Sequence, residues 1–245
     1  SLIIDLGKKV ELIKQSDLNI KLKDDYSPVS QADFLVNNEL NHFFHKSKIK
    51  NVISEENAEV DYSLRKKWEY FWIIDPIDGT KEFITKGTDY TINVALCLKN
   101  KPIFSMVYAP ARNEFYDAEK GKGARLNGKN ISISNDIELT VVASKSHLNT
   151  DTKEYIEKIS LREKIKLIQF GSSLKICKIA EGKANLYPRF GTTMEWDTCA
   201  ADLVLREAGG MIYDKNYDEL IYNKNNLKNP FFIASSKPLA KWKFL

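Results

Sequence analysis

The sequence predicts a layered α/β sandwich, α+β in its first half and α/β in its second. Two amphipathic helical stretches open the chain and give way to β-rich segments joined by short polar turns. From about Ile137 strands alternate with longer helical patterns, which is how a sheet flanked by helices is written in sequence. Apolar runs also end in carboxylates, so the chemistry gathers where strands stop.

With 245 residues, 43% hydrophobic and 29% charged, the chain is long enough for one large domain or two modest ones. Burying about three quarters of its unfolded surface gives it a substantial core. We divide it at residues 1–134 and 135–245. It has no low-complexity tract, no apolar run long enough to cross a bilayer and no signal-peptide pattern. The net charge of +4 is mild and the lysines are spread along the chain, without the arginine-rich or aromatic-interleaved blocks of a nucleic-acid binder. A small anionic ligand fits better than a polymer. Cys97, Cys177 and Cys199 are odd in number, far apart and without a C-x-x-C spacing, which argues against disulfides and structural zinc and suggests a reducing compartment.

Leu2 to about Leu18 places Ile3, Leu6, Val10 and Ile13 on one helical stripe with Lys8, Lys9, Glu11 and Lys14 between them. A second helix is expected from about Ser30 to Phe44, with Ser30 as N-cap and Asp33 in its first turn, where a carboxylate ordinarily complements the helix dipole. Glu39, His42 and His45 share metal-ligand spacing, but a second helix of the same kind is missing, so they read as solvent-facing. Asn51 to Asn57 is a short strand ending in Glu55 and Glu56.

Phe71-Trp72-Ile73-Ile74 is a buried strand running into Asp75-Pro76-Ile77-Asp78-Gly79-Thr80. Pro76 keeps Asp75 extended and turns the chain, so that two carboxylates and an intervening carbonyl can converge as hard oxygen ligands suited to Mg²⁺. Gly79 lets a phosphate approach the backbone, and a helix starting near Thr80 offers free N–H groups. Read in isolation, the same residues also make an ordinary turn and cap.

Asp89–Leu98 and Pro102–Tyr108 form a hairpin, Asn113–Ala118 is another strand, and Gly121 to Gly128 reads as turns because it lacks full phosphate-loop spacing. Val141–Ser144 is a strand leading to Lys145-Ser146-His147, Thr152–Ile159 a helix and Lys166–Phe170 a strand. Gly171-Ser172-Ser173 opens a helix through Ala180, with either serine as cap and Lys175 close behind. Asn185–Tyr187 is a strand ahead of Pro188-Arg189. Glu195–Thr198 precedes a helix from Cys199 to Ala208 that ends at Gly209-Gly210, with Asp197 as a plain N-cap.

In this order the pieces resemble the inositol monophosphatase superfamily. Ser54-Glu55-Glu56, Asp75-Pro76-Ile77-Asp78-Gly79-Thr80 and Trp196-Asp197 are similar to its three signatures. Ser27 to Asp33, Gly79 to Phe83, Ser144 to His147, Gly171 to Lys175 and Leu186 to Phe190 resemble its bisphosphate nucleotidase branch, and the likeness covers nearly the whole chain. Ala201 departs from the family's usual glycine, and the first helix looks shortened.

The resemblance implies an αβαβα sugar-phosphatase fold and two or three Mg²⁺ ions held by Glu55, Asp75, the Ile77 carbonyl, Asp78 and Asp197. It implies that Asp33 and Thr80 activate a water for in-line attack, while a second ion stabilises the leaving ribose oxygen. Backbone N–H groups near Gly79 and Thr80 would hold the scissile phosphate, and Asp197 would also belong to the substrate site. His147, Ser172, Lys175 and Arg189 would meet the second phosphate and the nucleoside. The implied reaction converts adenosine 3',5'-bisphosphate to AMP and phosphate, with lithium sensitivity, action on the related phosphosulfate, and a role in clearing a by-product of sulfate assimilation. The alternatives are an inositol monophosphatase or a fructose-1,6-bisphosphatase of the same superfamily, or a nucleotide sensor without turnover, against which Asp33 and Thr80 argue. A monomer or homodimer, cytoplasmic or peripheral at the inner membrane, completes the expectation.

Overall fold

A computed structural model describes residues 1–15, 20–22, 28–134, 138–145 and 148–236. Helix α1 (Leu2–Gln15) buries Ile3, Leu6 and Val10 of the expected stripe, whereas Ile13 is half-buried and Lys14, expected between the apolar positions, is buried with its ammonium donating to the Gly87 carbonyl at 2.5 Å. Strands β1 (Ile20–Leu22) and β2 (Pro28–Ser30) pair antiparallel and lead into α2 (Gln31–His45). Ser30 caps α2: its hydroxyl accepts from the Ala32 N–H, and the Asp33 carboxylate reaches back to the Ser30 N–H, a reciprocal capping box.

Then come β3 (Val52–Ser54), the turn of helix α3 (Tyr62–Arg65), β4 (Tyr70–Asp78), α4 (Thr80–Ile84), β5 (Thr91–Leu98), β6 (Lys101–Ala109), β7 (Glu114–Glu119), β8 (Ala124–Leu126) and β9 (Lys129–Ile131). β3 to β9 lie side by side in chain order as one seven-stranded sheet. Only β3 and β4 run parallel. Period-two alternation divides each strand between two layers. On β4, Ile74 packs with Val36 and Leu40 of α2, whereas Phe71 and Ile73 face the opposite side.

The second sheet is built from β10 (Thr140–Ser144), β11 (Lys166–Phe170), β12 (Leu186–Arg189), β13 (Met211–Asp214) and β14 (Phe232–Ser235), in the order β11-β10-β12-β14-β13. β10 is parallel to both its neighbours, and β14 is antiparallel to both of its own. Helix α5 (Thr150–Ser160) covers the outer face through Tyr155, Ile156 and Ile159. Helices α6 (Leu174–Ala180) and α7 (Glu195–Glu207) lie between the sheets, where Ile176, Cys199, Leu203 and Val204 join Phe71, Ile73, Ala95 and Tyr116 in the largest core cluster. The layers are therefore α1/α2, first sheet, α6/α7, second sheet and α5, the expected αβαβα sandwich.

Four local readings change. β4 does not stop at Ile74. Pairing with β5 continues to Asp78↔Thr91 across a register irregularity between Asp75 and Asp78, because Pro76 cannot donate to the ladder and the strand bulges around it. Gly121 to Gly128 is not only turns, since Ala124–Leu126 pairs with both β7 and β9. Ser173 stands at the N-cap of α6, but its side chain makes no capping bond, because the Ser172 and Ser173 hydroxyls are used elsewhere. Helix α7 starts at Glu195, so Asp197 sits inside the first turn and accepts from the Met194 N–H at 2.8 Å. His42 and His45 are exposed, and all three cysteines are buried and free.

Candidate active site

The bulge in β4 and the first turn of α7 bring three carboxylates together. One oxygen each from Asp75, Asp78 and Asp197 lies within 4.8 Å of the others. Asp75 is only 1% exposed, and neither of its oxygens has a hydrogen-bond partner among the described residues. Burial, then the charges of Glu55, Asp78 and Asp197, holds its carboxyl well above the usual range. Burial and the Asp78 charge push Asp197 up to about 8. Carboxylates this close repel one another when ionised, so they hold protons or a cation, and an all-oxygen donor set fits a hard divalent one.

Asp78 is held differently. Its Oδ2 accepts from the Ser172 hydroxyl at 2.8 Å and the Ser173 N–H at 2.6 Å, and the Asn93 amide lies 3.5 Å away. Burial raises its pKa, opposed by Lys175 and by these serine contacts. Ser173 also donates to Asn93 Oδ1 at 2.9 Å and pairs with the Thr91 hydroxyl at 2.9 Å, while Thr91 meets Ser172 at short range. Thr91 and Asn93 were not anticipated as site residues. A signal was available: they alternate with Ile92 and Val94, so a strand buried on both faces carries two polar residues on one of them.

Gly79 has φ +90 and turns the chain into α4; a Cβ there would stand 3.0 Å from the Asp89 carbonyl. Thr80 follows, its hydroxyl 3.1 Å from the Ile77 carbonyl and 3.3 Å from Asp33 Oδ1. The other Asp33 oxygen accepts from the Ser30 N–H and hydroxyl at 2.8 and 2.6 Å, which fixes the carboxylate in the capping box. Burial pushes Asp33 up to about 6 against those hydrogen bonds, with Glu56 and Glu55 adding to the rise. A residue that looked like a dipole complement is thus joined to Thr80 across the molecule.

Glu55, Asp78, Gly79, Thr80, Ser172, Lys175, Arg189 and Asp197 all line one cavity of about 490 Å³. Lys175 is buried; its ammonium donates to the Ser172 carbonyl at 2.6 Å and lies 5.5 Å from the centre of the Tyr187 ring. Burial lowers its pKa to about 8, against the pull of Asp78. Arg189 donates to the Thr192 carbonyl at 3.0 Å, and its charge is felt by both Lys175 and Asp197. Carboxylates and cations therefore line the same cavity, close enough for Asp78 to act on Lys175 and Arg189 on Asp197. Among the expected site residues, Asp33, Asp75 and Ile77 lie behind the lining, and His147 falls outside the described residues.

Residues 1–240 match the family model described as the inositol monophosphatase family, and the chain belongs to that family. It is 35% identical over 225 residues to the 3'(2'),5'-bisphosphate nucleotidase CysQ of Escherichia coli K12, covering 89% of each chain. The Haemophilus influenzae protein of the same description is 31% identical over 251 residues, 97% of this chain and 91% of that one. The crystal structure of CysQ from Bacteroides thetaiotaomicron superposes with a TM-score of 0.86 at 33% identity, covering 97% of this chain and 95% of the other. No helix among the described residues is long and apolar enough to cross a membrane.

Proposed function

We propose that the chain is a Mg²⁺-dependent 3'(2'),5'-bisphosphate nucleotidase that hydrolyses adenosine 3',5'-bisphosphate to AMP and phosphate. One observation carries the reading. One cavity is lined by Asp78 and Asp197 of the acidic cluster, with Asp75 and its unpartnered oxygens behind them, and by Lys175 and Arg189. The cluster suits the cations of phosphate-ester chemistry, and the two basic side chains suit a second phosphate that a monophosphate substrate lacks. Relatives bearing the nucleotidase description over most of both chains favour the same substrate.

Glu55, Asp75, Asp78, Asp197 and the Ile77 carbonyl are the ligand set for two or three ions. When bound, the magnesium supplies charge neutralisation and an acidified water. The remaining work belongs to the chain. Asp33, anchored by Ser30, and the Thr80 hydroxyl orient that water and pass its proton to the Asp33 carboxylate. The P–O bond to the ribose breaks as the water's oxygen bonds to phosphorus, and the ribose oxygen leaves with the electron pair and takes a proton from solvent water, while Asp33 returns its own to solvent before the next turnover. Gly79 and Thr80 form the backbone wall against the scissile phosphate, and Lys175 and Arg189 take the second one. Ser172 serves mainly by holding Asp78 in place.

The test is phosphate release with Mg²⁺, with and without Li⁺, from adenosine 3',5'-bisphosphate, inositol 1-phosphate and fructose 1,6-bisphosphate. Preference for the nucleotide is expected, together with lithium inhibition. Arg189→Ala is expected to raise KM for the bisphosphate by roughly tenfold or more, the usual worth of a charged hydrogen bond, with a much smaller effect on a monophosphate. Preference for inositol phosphate would overturn the substrate assignment, and tight nucleotide binding without phosphate release would indicate a sensor.

A further inference from the structure

The acidic cluster takes its members from places far apart in sequence: the loop after β3, the bulge of β4 and the first turn of α7. Pairing of β4 with β5 places Asp75, and the bonds from Ser172 and Ser173 hold Asp78. What holds the loop after β3 against α7 lies behind the cluster, at Arg65.

Arg65 ends α3 and is only 1% exposed. Its guanidinium makes five hydrogen bonds. Nε donates to the Val60 carbonyl at 3.1 Å. Nη1 donates to Asn223 Oδ1 at 2.8 Å and to the Lys224 carbonyl at 2.5 Å. Nη2 donates to the Asn225 carbonyl at 2.8 Å and to the Glu59 carboxylate at 3.1 Å. Asn223 returns its amide N–H to the Arg65 carbonyl at 2.7 Å. One buried fork therefore grips two loops, and a lysine, with a single point of charge, could not span them.

Both loops lead to the cluster. Residues 59 and 60 close the segment that begins at Glu55, and that segment and Arg65 line a small cavity of about 70 Å³ together with Met194 and Trp196 at the start of α7. On the other side, the Asn223 N–H donates to Glu195 Oε2 at 2.5 Å, while the Lys224 N–H and ammonium donate to Glu195 Oε1 at 3.0 and 2.6 Å. Glu195 is fully buried and stands two residues before Asp197 in the same helical turn.

We propose that Arg65 is a positioning residue for the cation centre, fixing the Glu55 loop and, through the 223–225 loop and Glu195, the Asp197 turn at one separation. It touches neither cation nor substrate, and it sets how well the ligands are preorganised. The inference rests on the cation reading of the site given under Proposed function.

The experiment is calorimetric titration of Mg²⁺ into the folded protein without substrate, for the parent, Arg65→Met, Arg65→Lys, Asn223→Gly and Ile156→Ala. Asn223 has φ +66, so glycine keeps the backbone conformation and the N–H to Glu195 while removing the side chain's two bonds to Arg65 and leaving those to the Lys224 and Asn225 carbonyls. Ile156 lies on the buried face of α5 in a separate cluster and reports what general destabilisation alone does. Loss of supporting partners around ligating groups typically weakens metal binding about 10–100-fold. Arg65→Met is expected to weaken Mg²⁺ binding at least about tenfold, with Arg65→Lys intermediate and Asn223→Gly severalfold weaker, whereas Ile156→Ala lowers Tm and leaves Mg²⁺ affinity unchanged. Mg²⁺ affinity within about twofold of the parent in folded Arg65→Met overturns the inference, as does equal weakening in Ile156→Ala. If Arg65→Met does not fold, Asn223→Gly decides by the same criterion. A parent that binds no Mg²⁺ overturns the cation reading itself, and the inference with it.

Discussion

Asp75 shows at the scale of one residue how function costs stability. Buried, unpartnered among the described residues and facing Glu55, Asp78 and Asp197, it opposes folding whenever it is ionised without a cation. Asp75→Asn is therefore expected to stabilise the metal-free protein by about 1–3 kcal/mol while lowering kcat at least about 100-fold, the first read by thermal melts in EDTA and the second by phosphate release. The pH dependence follows from the same crowding. Asp197 and Asp75 have folded pKa values raised above their unfolded ones, so the unfolded chain loses these protons first and the metal-free fold loses stability as pH climbs from the ordinary carboxylate range toward about 8. Mg²⁺ competes with those protons. The rise in Tm on adding Mg²⁺ should grow between pH 6 and pH 8, and a constant rise would contradict the ionisation assigned to the cluster. Asp75 and Asp78 were legible locally, because Asp-Pro-x-Asp-Gly-Thr ends a strand in two carboxylates, whereas Asp197 read locally as a plain N-cap and entered the site only through the family resemblance. Ser172 and Ser173 read locally as caps and Ser172, by resemblance, as a substrate contact, since nothing in their local sequence says that Asp78, 94 residues from Ser172, will claim the hydroxyl.

At the scale of elements, the turn from β4 into α4 decides how the site is built. Gly79 must adopt φ +90 beside the Asp89 carbonyl, so that Thr80 comes within reach of Asp33 on a different helix. Gly79→Ala would strain the backbone and crowd that carbonyl. We expect a loss of about 1–3 kcal/mol, measured as a fall in the denaturation midpoint, and a loss of activity larger than the fraction unfolded explains. Elements with strong period or strong punctuation were readable: α1, α2, the β5–β6 hairpin and β11 all lie close to where the pattern put them. β8 was not, because Ala124–Leu126 is only three residues long among glycines and owes its strand form to pairing with β7 and β9. The start of α7 was missed for a related reason. Glu195 and Asp197 look like residues ahead of a helix, yet Glu195 is drawn into the first turn by Asn223 and Lys224, partners that lie about 28 residues away.

Across the whole molecule, the sandwich ties the halves of the chain together more tightly than a division at residue 134 implies. α6 and α7 belong to the second half in sequence, yet Cys199, Leu203 and Val204 pack on the face of the first sheet made by Phe71, Ile73, Ala95 and Tyr116. Cys97 and Cys199, from opposite halves, bring their sulfurs within 3.5 Å. The order of layers follows from which faces of the strands are apolar. Which helix covers each face depends on long-range packing that no local window contains. The halves are accordingly expected to be interdependent: residues 1–134 expressed alone would leave one whole face of a seven-stranded sheet bare, a surface on which such a fragment would collapse or associate. Circular dichroism and proton NMR of that fragment should show residual helix and strand without dispersed side-chain signals, and co-expression with residues 135–245 should restore a folded, Mg²⁺-binding complex. A well-dispersed, monomeric fragment would mean that the first half carries its own complete core, and that α7 docks onto it only to deliver Asp197.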